Sequence, residues 1–229
     1  MSWWSEDTAF IEIFGMNHLI YILVLTISLI TLILFRDKVK KNRKQISAFF
    51  LVISILQQIL LYSWYIFETG FNISESLPLQ ISRISTLLGI WFLITKNTKV
   101  LEIMFYFGLF AYGSFLYPSR IYPIDHAMGI SFVVNHTITI LLPFFGYIAY
   151  QWRPKFQGVL KAYSFFLLYF VFVYILNPLM DGNYFYLKYR PFFQEWPDYF
   201  YVPAVLSAVF IGFNLAFVVV RSIGKFSSK

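Results

Sequence analysis

Residues 20–35 read IYILVLTISLITLILF, and residues 36–44, which follow at once, read RDKVKKNRK. The first stretch carries no charge, and it lies in an apolar segment over residues 16–35. About 20 apolar residues in a helix are enough to cross the roughly 30 Å hydrocarbon layer of a membrane. The second stretch holds six Lys or Arg residues. An apolar run followed by a basic cluster is typical of a transmembrane helix that ends on the cytoplasmic side.

The composition agrees with a membrane protein. Of the 229 residues, 59% are hydrophobic and only 13% are charged, whereas a soluble domain carries roughly 25% charged residues. A surface so poor in charge suits lipid as the surrounding solvent. Because lipid offers the backbone no hydrogen bonds, the chain must cross it as helices or as a closed barrel. The long apolar runs favour helices.

Seven segments are long and apolar enough to be predicted spans. We expect an all-α, polytopic protein that forms one domain over residues 1–229. The segment 78–96 is the weakest, because it begins with the polar sequence PLQISRIST. The predicted spans are 16–35, 46–67, 78–96, 99–118, 128–150, 157–180 and 202–221.

Most of the 18 basic residues lie in alternate loops. Lys and Arg accumulate on the cytoplasmic side of short loops, which predicts seven spans with the N-terminus outside and the C-terminus in the cytoplasm. The alternation fails if segment 78–96 is left out, so charge supports this span independently of hydropathy. We expect a multi-pass protein of the bacterial cytoplasmic membrane.

The sequence favours lipids as partners over nucleic acids and cofactors. The formal net charge is +7, but the basic residues lie between apolar runs rather than on one soluble face, so we predict no nucleic-acid binding. The chain has no Cys, and its three His residues lack the spacing of metal ligands. We therefore expect no metal and no cofactor, and membrane lipids as partners.

Polar residues occur at matching depths in the outer halves of several spans. At about 1.5 Å per residue, Ser82, Arg83 and Ser85 lie roughly 6–12 Å below the outer surface, and Asn135 and His136 roughly 10–12 Å below it. Polar side chains in membranes usually face the bundle interior. We therefore predict a polar cavity open to the outer leaflet. Further candidate binding residues at this level are Gln80, Tyr112 and Asn177.

Arg83 and His136 each allow a structural and a functional interpretation. The Arg83 guanidinium stays charged, so it extends to the interface, pairs with an external carboxylate, or clamps a carboxylate or lipid phosphate. Gln80, one helical turn earlier, would share its face. His136 is either a hydrogen-bonded core residue or a general base that activates Ser82 or Ser85. In the second case Arg83 or Gln80 would stabilise the oxyanion.

Four segments together resemble the YwaF-like family of bacterial integral membrane proteins. They are Phe14-Gly15…His18-Leu19, LPLQISRI at residues 77–84, Asn135-His136, and Asn177…Gly182-Asn183-Tyr184…Leu187…Arg190-Pro191. The chain is also distantly similar to a eukaryotic transmembrane acyltransferase that remodels ether phospholipids. More remotely, it resembles the androgen-induced membrane hydrolases of fatty-acid esters.

The resemblance implies an enzyme that pairs a Cys or Thr nucleophile with a His on another helix. It would make His136 that His. Where family members commonly read LPLHLC, this chain has Gln80 for the His and Ser82 for the Cys. We therefore expect a lipid acyltransferase or ester hydrolase with Ser82 as nucleophile and His136 as base. The alternative is a non-catalytic protein that binds or transports a lipid or small molecule in the same cavity. A receptor or scaffold is the third possibility.

Overall fold

The computed structural model describes residues 3–226, with side chains up to residue 222. Within this range the chain is helical and contains no strand. The chain divides into two compact units, the first ending at Trp152 and the second beginning at Arg153. The helices of the first unit are α1 Met16–Leu34, α2 Arg36–Lys41, α3 Arg43–Phe67, α4 Ile73–Ser76, α5 Ile81–Thr95, α6 Thr98–Leu116 and α7 Ala127–Tyr150. The second unit holds α8 Phe156–Leu179, a 3₁₀ turn Tyr184–Tyr186 and α9 Asp198–Phe226.

Each predicted span coincides with one helix, but the helices differ in length. Six of them are long and apolar enough to cross a membrane. The third predicted span, 78–96, is shorter than expected, because α5 runs only over Ile81–Thr95 and has 15 residues. At 1.5 Å per residue this helix is about 22 Å long, less than the hydrocarbon thickness of a typical bilayer. Over residues 3–226 the protein is thus an all-helical membrane protein with six apolar helices long enough to span a membrane and one shorter apolar helix.

Helix α7 lies at the centre of the first unit. It packs against α1, α2, α3, α5 and α6. In an apolar stretch of 18 residues of α7, 67% of the residues are buried, whereas in α1 the share is 17%. Two glycines allow this close packing. A Cβ at Gly146 would lie 2.2 Å from the Leu101 side chain on α6, and a Cβ at Gly89 on α5 would lie 2.8 Å from Leu142. The candidate residues on α5 and α7 are therefore held at a tight helix interface.

Basic side chains stabilise the end of the first unit at which the basic loops lie. The Lys96 ammonium donates to the Ser47 hydroxyl and to the Leu93 carbonyl, so it caps the last turn of α5, where cations are favourable. Arg43 donates to the Ala149 carbonyl at 3.3 Å. These lysine and arginine side chains thus have structural partners within the unit.

The N-terminal segment covers the other end of α3 and α7. The Trp64 indole on α3 donates to the Trp4 carbonyl at 2.6 Å, and the Ala127 amide at the start of α7 donates to the Trp3 carbonyl at 2.8 Å. Trp4 packs on a buried cluster that includes Trp64, Ala127 and Tyr65. The segment thereby satisfies one of the amides that a helix leaves free at its N-terminus.

The second unit is a helical hairpin with an aromatic connection. The Asn177 side chain donates to the Tyr184 carbonyl and accepts from the Tyr184 amide, both at 2.9 Å. The connection also carries the ion pair Lys188–Asp181 at 2.6 Å, and the hydrogen bond to Asp181 raises the pKa of the Lys188 ammonium. Buried Asn177 therefore fixes the turn that follows α8.

Candidate functional site

Arg83 ties the start of α5 to the loop before it. One guanidinium nitrogen donates to the Glu75 carbonyl at 2.6 Å and to the Leu77 carbonyl at 2.7 Å. The other donates to the Tyr65 hydroxyl on α3, and the guanidinium lies 4.7 Å from the centre of the Tyr65 ring. Arg83 is 7% exposed. The buried charge is thus compensated by carbonyl dipoles, a hydroxyl and a π-face.

This geometry gives Arg83 a structural role. Its partner in residue 75 is the backbone carbonyl and not the carboxylate. Gln80, predicted to share a helical face with Arg83, precedes the helix as its N-cap residue. The Gln80 carbonyl instead accepts from the Arg83 amide at 2.9 Å.

Arg83→Lys should lower the stability of the protein by about 2 kcal/mol. A lysine keeps the charge, but its single ammonium group cannot donate to two carbonyls and a hydroxyl as the planar guanidinium does. A buried acceptor that is left without a donor costs about 1–3 kcal/mol. The measurement is the thermal unfolding midpoint in detergent, with Arg36→Lys at an exposed position as the matched control. An Arg83→Lys midpoint equal to that of the control would contradict the anchoring role.

The two candidate nucleophiles differ in how their hydroxyls are used. Ser85 is fully buried, and its hydroxyl donates to the Ile81 carbonyl at 2.8 Å. Ser82 is half-buried, and within the described part of the chain its hydroxyl makes no hydrogen bond. Ser82 lies one turn before Thr86, and residues four apart share a helical face. Since Thr86 contacts α7, Ser82 lies on the side of α5 that faces α7.

Asn135 joins α7 to α5. Its side-chain oxygen lies 2.7 Å from the Thr86 hydroxyl on α5 and 3.4 Å from the Thr139 hydroxyl on α7. Beside it, Gln57 on α3 donates to the Ser131 hydroxyl on α7 at 2.8 Å. These bonds connect the three helices α3, α5 and α7 through polar side chains.

His136, the next residue on α7, lies among aromatic rings. Its Nδ1 is 2.9 Å from the Phe132 carbonyl, and its ring centre is 4.2 Å from that of Phe132 and 6.3 Å from that of Phe115 on α6. A carbonyl can only accept, so Nδ1 carries the proton and Nε2 carries the lone pair. Among the described residues, Nε2 has no hydrogen-bond partner. The side chain is 7% exposed.

The structure brings together only some of the predicted site residues. Thr86 and Asn135 are in direct contact, but no hydrogen bond joins His136 to Ser82 or Ser85 among the described residues. Tyr112 on α6 is 39% exposed. Asn177 belongs to the second unit, where its amide is occupied by Tyr184.

Tyr65 is a partner of Arg83 that the candidate site residues did not include. It occurs at the outer end of α3 with other aromatic residues, and only the fold shows that its hydroxyl accepts from Arg83. Gln57 is different, because a glutamine inside an apolar span is itself a signal of an interior polar contact. Its hydrogen bond to Ser131 accords with that signal.

The comparisons with known proteins agree with this architecture. No curated protein matches the chain, and no solved structure matches it either. A match to a family of multi-pass membrane proteins covers residues 13–214, which include helices α1 to α8, the first part of α9 and every candidate residue described above. The chain belongs to the TMEM164 family.

Proposed function

We propose that the protein is a membrane-embedded lipid acyltransferase or ester hydrolase, with His136 as general base and Ser82 as nucleophile. The observation that carries the proposal is the unpartnered Nε2 of His136. A general base needs a lone pair that no other protein group occupies. The hydrogen bond from Nδ1 to the Phe132 carbonyl fixes the tautomer that provides it.

Ser82 is the better nucleophile of the two serines. A hydroxyl that attacks an ester must release its proton to the base, and the Ser85 proton is already donated to the Ile81 carbonyl in a fully buried position. The half-buried Ser82 hydroxyl has no such partner in the described chain. The structure contains no Ser82–His136 hydrogen bond, so the proposal requires the pair to approach when substrate binds, as catalytic hydrogen bonds often do.

The reaction follows the usual course of acyl transfer. Ser82 Oγ attacks the ester carbonyl of a lipid while His136 Nε2 takes the serine proton. The ester bond breaks, His136 returns the proton to the departing alcohol, and the acyl chain remains on Ser82. A lysophospholipid hydroxyl or water then attacks the acyl-serine and regenerates the hydroxyl.

The other candidate residues position this pair. Arg83 fixes the loop and the first turn of α5, which carries Ser82. The Thr86–Asn135 contact sets the rotation and depth of α5 against α7. A phosphate or carboxylate clamp by Arg83 is not part of the proposal, because its donors are directed at backbone carbonyls and Tyr65.

A fluorophosphonate ester tests the proposed nucleophile directly. Such reagents react with serines that a neighbouring base activates, so the purified protein should gain one adduct on the peptide containing Ser82. The adduct should be lost in Ser82→Ala and in His136→Ala, and retained in Ser85→Ala. Labelling that survives in Ser82→Ala would show that another residue is the nucleophile, and no labelling of the wild-type protein would argue for a non-catalytic lipid-binding protein.

We also propose seven spans with the N-terminus outside, in a bacterial cytoplasmic membrane. The basic loops support this orientation, and a crossing by the short helix α5 requires local thinning of the bilayer.

The chain has no Cys, so single cysteines can be introduced without background. A membrane-impermeant maleimide should label Glu195→Cys in intact cells, but Lys40→Cys and Lys99→Cys only after permeabilisation. If α5 does not cross, Lys40→Cys and Lys99→Cys will label from opposite sides.

A further inference from the structure

A small cavity lies between α3, α5 and α7, and His136 is not among its lining residues. Its volume is about 10 Å³, which is room for one water molecule. The helices enclose it with both polar and apolar side chains. Its lining residues are Ser54, Gln57, Thr86, Val134, Asn135, Ile138, Thr139 and Leu142.

Two buried polar groups at this cavity lack protein partners in the described chain. The Ser54 hydroxyl makes no hydrogen bond, although Ser54 is only 2% exposed. The Asn135 amide is bonded through its oxygen end alone, to Thr86 and Thr139, while its nitrogen end has no acceptor. Gln57 accepts one bond from Gln58 at 2.6 Å, and its oxygen keeps a second lone pair.

We propose that this cavity binds one ordered water molecule that links α3 to α7. The water accepts from the Asn135 amide and from the Ser54 hydroxyl, and it donates to the Gln57 side-chain oxygen. Buried waters typically make about three hydrogen bonds to groups that the protein leaves unsatisfied, and this site offers that number. The water site is independent of the proposed catalytic role of Ser82 and His136.

The direct test is a structure of the full-length protein at about 2 Å resolution, where waters are visible. We expect one density peak within hydrogen-bond distance of both Ser54 Oγ and the Asn135 amide. A cavity without density, in a map that shows other buried waters, would overturn the proposal.

Thermal stability gives a second test, because a cavity that holds a water and a dry cavity predict opposite effects when a larger side chain fills it. Ser54→Val fills the cavity and removes the water, which leaves the Asn135 amide unpaired, whereas Ser54→Ala keeps room for the water. We expect the thermal midpoint of Ser54→Val to lie several degrees below that of Ser54→Ala. An equal or higher midpoint would show that the cavity is dry, because filling an empty cavity stabilises a protein. Ser85→Ala controls for the loss of a buried hydroxyl that does not line this cavity.

Discussion

Replacing His136 with alanine should lower the rate of lipid acyl transfer or hydrolysis by about 10²–10⁴-fold, the usual contribution of a general base. The effect follows from the Nε2 lone pair, which no described residue occupies. Without it the Ser82 proton has no acceptor at the moment of attack. The rate is measured with the purified protein and a defined phospholipid substrate, followed by mass spectrometry of the lipids.

Thr137→Val is the matched control for this experiment. Thr137 is the next residue on α7, it is 6% exposed, and its hydroxyl has no hydrogen-bond partner in the described chain. Valine has nearly the same shape, so the variant should keep both its rate and its thermal midpoint. Equal losses of rate in His136→Ala and Thr137→Val would show that packing at this level of α7 matters and that the imidazole does not.

Gly129→Ala should destabilise the first unit by more than about 3 kcal/mol, or prevent its folding. A Cβ on this glycine would lie 1.8 Å from the Pro123 carbonyl oxygen and 2.6 Å from the Tyr21 hydroxyl. The backbone oxygen cannot move aside as a flexible side chain would. Any shift also strains the hydrogen bond from Tyr21 to the Tyr122 carbonyl at 2.6 Å, which holds α1 to the loop before α7. The measurement is the yield of folded protein and its thermal midpoint in detergent.

Gly113→Ala provides the control with the opposite expected sign. Gly113 lies in α6, and a Cβ there would meet no atom within 4 Å. Alanine at an unobstructed helical position is favoured over glycine by about 0.5–1 kcal/mol. The midpoint of Gly113→Ala should therefore stay level or rise. A Gly129→Ala protein as stable as Gly113→Ala would contradict the close approach of Pro123 to α7.

Hydropathy predicted where the helices lie but not where α5 begins. The apolar segments mark the helices because the membrane demands such runs. The residues PLQ before α5 were assigned to the span, yet Gln80 serves as the N-cap and the preceding carbonyls accept from Arg83. This arrangement depends on the Arg83 side chain folding back, and a hydropathy average does not contain that information.

That residues of α5 and α7 lie at the same level along the helices was predictable from the sequence, and their rotation about the helix axes was not. Counting residues placed Asn135 and His136 at one level, and Thr86 does meet Asn135. Adjacent helical residues, however, differ by about 100° in direction. Asn135 therefore contacts α5 while His136 packs near Phe115 of α6. Only the packing of the helices decides which neighbour each residue meets.

Lipid turnover by the wild-type protein is the most direct test of the proposed function. The purified protein is incubated with a lysophospholipid acceptor and a phospholipid donor that carries an isotope-labelled acyl chain. The account predicts labelled acyl chains on the acceptor or as free fatty acid, with formation abolished in Ser82→Ala and in His136→Ala. The absence of any labelled product, or full turnover in both variants, would contradict it.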